Sequence, residues 1–445
     1  MSQVIEKNLK KYLKKEKNFG IDTGLSSLTY LSLSEQSLGN YFLKSKFLKK
    51  ISFFSYLKFF FLQLNSINLA DKYYIASKIK YHHDKKNIIL TWGKKNNFNN
   101  RGVFFDPLFN VNSSYNQKKN LWIIIYHGDK KLPNRISSNI ILLHHKEGNK
   151  INNYFLSIVK FIKYLFFNKF NFRKISHYSS FTSFFALSFY RLTSQLINIK
   201  HVSKIIMSYE GQPFQNYFIK KFKDKKKNIQ SLGIITNILP HNYDLIKRIG
   251  SPDKLILSSK DQKKYFNSYL GWEKDKLSII NSTRMCYEKK TNINNKIFLP
   301  NYIKNLKDIS NKFEKYIDTI SRDQKLPVFK IKSHPNSYSF NKQAELKNNI
   351  QEIIKKNFHK FDKKKKSSIS IVIGLTSSPI YLLENGIDEV IHITEDLYLN
   401  SYNNRNWSNI SSKLIDENVI KYKMKKKSLS LLLSAKKNDI KKFLN

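Results

Sequence analysis

A chain of 445 residues and 52.7 kDa has room for two or three domains with sizeable cores, which excludes a mini-protein. Hydrophobic residues at 41% and aromatics at 14% exclude wholesale disorder. The 80 Lys and Arg against 32 Asp and Glu leave a formal charge of +48, which at first suggests a polyanion-binding protein. Only 8 of those 80 are Arg, however, and Arg is the residue whose planar fork reads phosphate bidentately. The chain is also rich in Asn, Ile, Phe and Tyr, with Gly at 13 and Pro at 9. A bias toward A- and T-rich codons accounts for that whole set, whereas nucleic-acid binding accounts only for the Lys. The charge is therefore read as a surface drifted toward Lys, with a general attraction to anionic lipid and no specific nucleic-acid partner.

The single Cys286 cannot form an intramolecular disulfide, and no CxxC or Cys/His spacing suggests a metal. The first twenty residues carry Lys but no apolar segment or cleavage site of a secretory signal, so a cytoplasmic location is expected. Two apolar runs, one from Ile51 and one from Tyr154, are shorter than a membrane span and interrupted by Lys58 or by Lys160 and Lys163, and are read as core helices.

Taken in chain order, residues 1–120 read as a mostly helical region of unknown role. From about 120, short β-branched runs recur at 121–127, 139–144, 204–210, 232–236, 254–259 and 277–282. Stretches with helical spacing at 179–197, 213–224 and 260–270 separate most of them. After a polar stretch at 288–296, a second series of strands follows at 328–335, 368–374 and 389–393, with helical patterns at 301–321, 341–357 and 378–386. Strands alternating with helices predict parallel sheets. The chain is thus divided into a first α/β domain at 121–290, a second at 291–423, and a Lys-rich helical tail at 424–445. In such sheets ligands sit beyond the carboxyl ends of the strands, which directs attention to the residues just after each run.

Three such places carry chemistry. In KIIMSYEGQPF a strand ends at Tyr209, Glu210 and Gly211 and a helix opens through Pro213. A carboxylate there is placed for general-base work, the plain alternative being a Glu that caps the helix. In VFKIKSHP a strand delivers His334 into a loop fixed by Pro335, with Lys330 and Lys332 adding positive field. That His can donate to a departing phosphate, or it is simply a surface loop residue. In IVIGLTSSPIYLLE a strand leads through Gly374 to Thr376, Ser377 and Ser378 and on to Pro379 at a helix start. Hydroxyls and free N–H groups in that position suit a phosphate, the plain alternative being a Ser N-cap.

In this order, Glu210-Gly211, His334-Pro335 and Ser377-Ser378 resemble the acidic-Gly, His-Pro and Ser-Ser motifs of bacterial sialyltransferases and polysialyltransferases. YEGQPF followed by LGIITNILPH, PDKLILSS, GWEKDKL and NSTR resembles a related group of surface-carbohydrate biosynthesis proteins, over about residues 200–400. The resemblance implies an α/β GT-B glycosyltransferase, two Rossmann-like domains facing across a cleft. It implies a nucleotide-activated donor, a CMP-linked nonulosonic acid such as sialic acid, as substrate, with no resident cofactor and no metal. It also implies a glycan or lipid-linked acceptor and a role in capsule or lipopolysaccharide assembly.

Carried over by position, Glu210 is the general base, His334 assists loss of the CMP phosphate, and Ser377 and Ser378, with Thr376 beside them, hold that phosphate. Glu384 is placed to reach the ribose or base, and Tyr209, Gly211, His241, Arg284 and Lys332 are further cleft candidates. The motifs differ from the family pattern at one position, where Tyr209 replaces the first residue of an acidic pair. A His-Pro and a Ser-Ser also occur in teichoic-acid glycerophosphotransferases and Kdo transferases, which keeps those reactions open beside a non-enzymatic polyanion binder. Contact with an anionic inner membrane is expected from the Lys-rich exterior.

Overall fold

A computed structural model describes residues 86–127, 131–145, 201–226, 228–240, 245–282, 294–300, 305–322, 324–333, 340–365, 367–432 and 439–445, with shorter pieces at 73–75, 192–197 and a few single positions. The first unit is an eight-stranded sheet made of β1 (Tyr73–Ile75), β2 (Asn87–Gly93), β3 (Asn120–Tyr126), β4 (Ile140–His145), β5 (Lys204–Ser208), β6 (Gln230–Ile234), β7 (Lys254–Leu257) and β8 (Leu277–Ile279). In spatial order they run β1-β4-β3-β2-β5-β6-β7-β8, all parallel except the edge pair β1 and β4.

β2 and β3 read as continuous apolar runs, Ile88 to Leu90 and Leu121 to Tyr126, because a parallel sheet covered on both faces has no solvent side on which polar residues could alternate. One face is covered by α1 (Pro213–Lys225), whose Phe214, Phe218 and Phe222 recur at every fourth position and are fully buried. Phe189 packs on this stripe, with ring centroids 5.1 Å from Phe214 and 5.8 Å from Phe218. Between β7 and β8, α2 (Lys260–Tyr269) starts on Ser259, whose side chain accepts from the Asp261 N–H.

The second unit is a six-stranded sheet made of β9 (Lys296–Phe298), β10 (Lys330–Lys332), β11 (Ile369–Ile373), β12 (Glu389–Ile393), β13 (Ile410–Asp416) and β14 (Val419–Met424), in the order β10-β9-β11-β12-β14-β13. The first four are parallel, and β13 and β14 close the edge as an antiparallel hairpin. α3 (Leu306–Ser321) packs through Ile309, Phe313, Tyr316 and Ile317, and its first turn is capped by Asn305, which accepts from the Asp308 N–H at 3.2 Å. α4 (Phe340–Lys356) and the short α5 (Ser378–Glu384) complete the layers. Two α/β units with mostly parallel sheets are the expected fold class.

The structure corrects two expectations. The first sheet begins ahead of residue 121: β2 is a central strand, paired with both β3 and β5, inside the region read as mostly helical. Its apolar run, Ile88 to Leu90, is too short for periodicity to declare a strand on its own. Among the described residues, the tail from 424 contains no α-helix. Val419 to Met424 form a strand, and Asp439 to Phe443 form only a short 3-10 helix. Ile440 and Leu444 are buried in the core of the first unit, and the Leu444 carbonyl accepts from Asn87 and Asn116 at 3.3 and 3.2 Å. The last described residues therefore pack back on the first sheet. The apolar run from Ile51 lies outside the described residues, and so does nearly all of the run from Tyr154. No described helix is long and apolar enough to cross a membrane.

Candidate active site

After β5 the chain pairs once more, Tyr209 N–H to the Ile234 carbonyl at 3.0 Å, and then turns at Gly211, whose φ of +72° is the left-handed value that glycine adopts without strain. Pro213 then opens α1, where a missing N–H costs nothing. Gln215, from the first turn of that helix and 1% exposed, holds the loop from inside. Its amide nitrogen donates to the Ser208 carbonyl at 2.6 Å, and its oxygen accepts from the Glu210 and Gln212 N–H groups at 2.9 and 3.2 Å. The N-cap position belongs to Gln212, so the Glu210 carboxylate is not the helix cap. Glu210 is half-buried, and one of its oxygens accepts from the Gln212 amide at 2.7 Å. Tyr209 is a core residue rather than a cleft residue: it is 1% exposed, and its hydroxyl donates to Asn216 Oδ1 at 2.8 Å and lies 3.1 Å from Ser251 Oγ.

In the second unit β11 ends at Gly374, again left-handed at φ +69°. The Thr376 and Ser378 hydroxyls are 2.9 Å apart, and the Ser378 N–H donates to Thr376 Oγ1 at 3.2 Å, which curls the turn. Thr376, Ser377 and Ser378 are all half-exposed, and the Ser377 side chain makes no capping bond.

Beneath the turn lies a polar network that the sequence reading missed. His392, fully buried on β12, holds Nε2 at 2.7 Å from the Gly374 carbonyl, so Nε2 carries the proton. Its Nδ1 lies 3.5 Å from the Tyr422 hydroxyl, which accepts from the Tyr402 N–H at 3.0 Å. Burial, the dominant cause, pushes the imidazole pKa down to about 4, so His392 is neutral at ordinary pH. The only sequence signal was a His inside an otherwise apolar strand.

The carboxyl edges of the two sheets meet. Ile238, in the loop after β6, packs into one apolar cluster with Phe298 and Val372 of the second sheet. The Tyr402 hydroxyl is 2.5 Å from the Ile238 carbonyl and 3.1 Å from the Thr376 carbonyl. Farther along, Ser408 Oγ donates to Asp261 at 3.0 Å. Lys332 lies at this junction, its Nζ 5.4 Å from the centre of the Phe298 ring. Lys330 shares its strand and Lys296 pairs across from Lys330, and burial, followed by the like charges of Lys332 and Lys330, holds the Lys296 pKa below its usual value.

Glu384 is committed elsewhere. At the far end of α5, its carboxylate accepts from the Leu431 and Leu432 N–H groups at 2.8 and 3.3 Å and from the Ser430 hydroxyl, anchoring the segment after β14. This is a structural contact and not a reach toward a ribose. His334, His241 and Arg284 lie outside the described residues.

No protein-family model matches the chain, and no curated protein does. Among solved structures, an alpha,alpha-trehalose-phosphate synthase (UDP-forming) from Burkholderia vietnamiensis is similar at TM-score 0.34 and 10% identity, over 65% of this chain and 78% of that one. A glycosyltransferase from Rickettsia africae is similar at TM-score 0.32 and 12% identity, over 69% and 79% of the two chains. The lipopolysaccharide outer core galactosyltransferase WaaB is similar at TM-score 0.32 and 10% identity, over 69% and 80%. Likeness at this level says nothing about substrate or reaction.

Proposed function

We propose that the chain is a GT-B glycosyltransferase of surface-polysaccharide assembly, which moves a sialic-acid-like sugar from a CMP-activated donor to a glycan or lipid-linked acceptor. The observation that carries this reading is the meeting of two carboxyl edges. Glu210 stands at the end of a strand in one unit, and the Thr376-Ser377-Ser378 turn at the end of a strand in the other, joined through the loop of Ile238.

In the proposed reaction the acceptor hydroxyl gives its proton to the Glu210 carboxylate as its oxygen attacks the anomeric carbon. The bond to the CMP phosphate breaks with its electron pair leaving on the phosphate oxygen. The charge gathered there is met by His334 and by the Ser377 and Ser378 hydroxyls. Lys332 adds positive field. The wide scatter of Lys supports the reading of the charge as background: the four longest described helices, two in each unit, all carry several.

A thermal-shift screen with CMP, CDP and UDP tests the donor, because a ligand of the native state raises its apparent stability. CMP is expected to raise Tm above the other two, and E210Q and H334A are expected to abolish CMP release from a CMP-sugar. No shift with any nucleotide refutes the glycosyltransferase reading. Turnover of CDP-glycerol in place of a CMP-sugar would move the chain to glycerophosphate transfer.

A further inference from the structure

The residues on both sides of Glu210 are fastened to one turn that the motifs do not include. Before β7 the chain makes a tight reversal at Arg248 to Ser251. The Arg248 guanidinium donates through Nη2 to the Gly211 carbonyl, and the Arg248 N–H donates to Ser251 Oγ at 2.9 Å. That same Ser251 hydroxyl lies 3.1 Å from the Tyr209 hydroxyl. Tyr209 and Gly211 are thus both held from residues 248–251, with Glu210 between them.

The turn is itself immobilised. Gly250 has φ +81°, and a Cβ built there would lie 2.6 Å from the Asn216 carbonyl oxygen, so the turn sits directly against α1. On its other side the Lys247 N–H donates to the Leu270 carbonyl at 2.8 Å, the Trp272 indole donates to the Leu245 carbonyl at 2.7 Å, and the Lys247 ammonium pairs with Glu273.

From this geometry we infer that Arg248 is a positioning residue, and that the 248–251 turn is a clamp which sets the direction of the Glu210 carboxylate by holding Tyr209 and Gly211. The inference rests on the reading of Glu210 as the base. Arg suits the role because it stays charged at any working pH and its charge-assisted bond to a carbonyl is stronger than a neutral one. A left-handed Gly211 adds little restraint of its own, so the loop is held by side chains, Gln215 on its inner side and Arg248 through the Gly211 carbonyl.

The test compares R248Q, R248K, S251A and E210Q in the full chain by two readouts: CMP release from a CMP-sugar, and hydrogen exchange in the peptide covering residues 208–215. R248Q is expected to lower kcat about 10- to 100-fold with the donor KM unchanged within twofold, and to speed exchange at 208–215 while leaving exchange in β2 and β3 unchanged. R248K, which still delivers one charged donor, is expected to restore most of kcat. S251A should show a smaller change of the same kind. Unchanged exchange at 208–215 in R248Q overturns the clamp, whatever E210Q does. An equal rise in KM with kcat intact overturns positioning in favour of substrate binding. Full turnover in E210Q, with faster exchange in R248Q, upholds the clamp and refutes Glu210 as the base.

Discussion

The hydroxyl of Tyr402 donates to the carbonyl of Ile238 at 2.5 Å, linking the loop after β6 in the first sheet to a residue that follows β12 in the second. The same hydroxyl is 3.1 Å from the Thr376 carbonyl, in the turn proposed to hold the donor phosphate. Tyr402 is 1% exposed, and burial raises its pKa well above the usual phenol value, so it remains a donor at every accessible pH. One buried hydroxyl thus bonds backbone carbonyls of both units, and it adds a directional link to the apolar packing of Ile238 between the two strand-end loops.

Y402F is expected to leave both carbonyls without that donor while keeping the ring. The cost is about 1–3 kcal/mol. The checks are a fall in apparent Tm of a few degrees and a weaker nucleotide-induced shift than in the parent protein. An unchanged Tm would show that water replaces the hydroxyl.

Two buried titratable groups oppose each other in acid. His392, at about 4 in the fold against an ordinary 6.5, is destabilised by protonation: its contribution is complete above pH 6.5 and is lost as pH falls toward 4. Asp106, fully buried, is pushed up to about 6 by burial, so its contribution is complete below its ordinary 3.8 and is lost as pH rises through 6. Each effect is on the order of 3 kcal/mol, so stability between pH 4 and 6 is expected to be nearly flat. D106N imitates the neutral acid and removes one arm. It should leave a Tm that falls steadily from pH 6.5 to 4, as measured by thermal unfolding across pH.

Gln215 satisfies one carbonyl and two N–H groups of the Glu210 loop. Q215E keeps the acceptor and sets a carboxylate against the Ser208 carbonyl, at a cost of about 2–3 kcal/mol. Turnover is expected to fall with stability, and faster exchange in the 208–215 peptide would localise the cause.

Two left-handed glycines should respond differently to alanine. Gly250 faces the Asn216 carbonyl, whereas a Cβ at Gly386, φ +87°, would meet nothing within 4 Å. G386A is expected to cost only the left-handed penalty of about 1–2 kcal/mol. G250A should cost clearly more, and because its turn holds Gly211 it should also lower turnover. Equal Tm losses in the two variants would contradict the close approach.

By itself the sequence determined the α/β class and most of the strands, because a parallel strand buried on both faces is a contiguous apolar run visible without any partner. It also located the turns at Glu210 and at Thr376-Ser377-Ser378, since Gly and Pro punctuate strand ends locally. β2 escaped because its run is short. The strand 419–424 escaped because Lys421 and Lys423 alternate with its apolar residues and look like the Lys of a polar helix. Tertiary structure alone decided what each side chain does. Tyr209 reads like Glu210 along the chain, yet its ring is core, and Glu384 reads like a ligand-facing carboxylate, yet it caps the segment after β14. Arg248, His392 and Tyr402 carry no motif: their partners lie 37, 18 and 164 residues away, the first two within one folded sheet each and the third across the junction of the two sheets, so none exists before the tertiary structure forms.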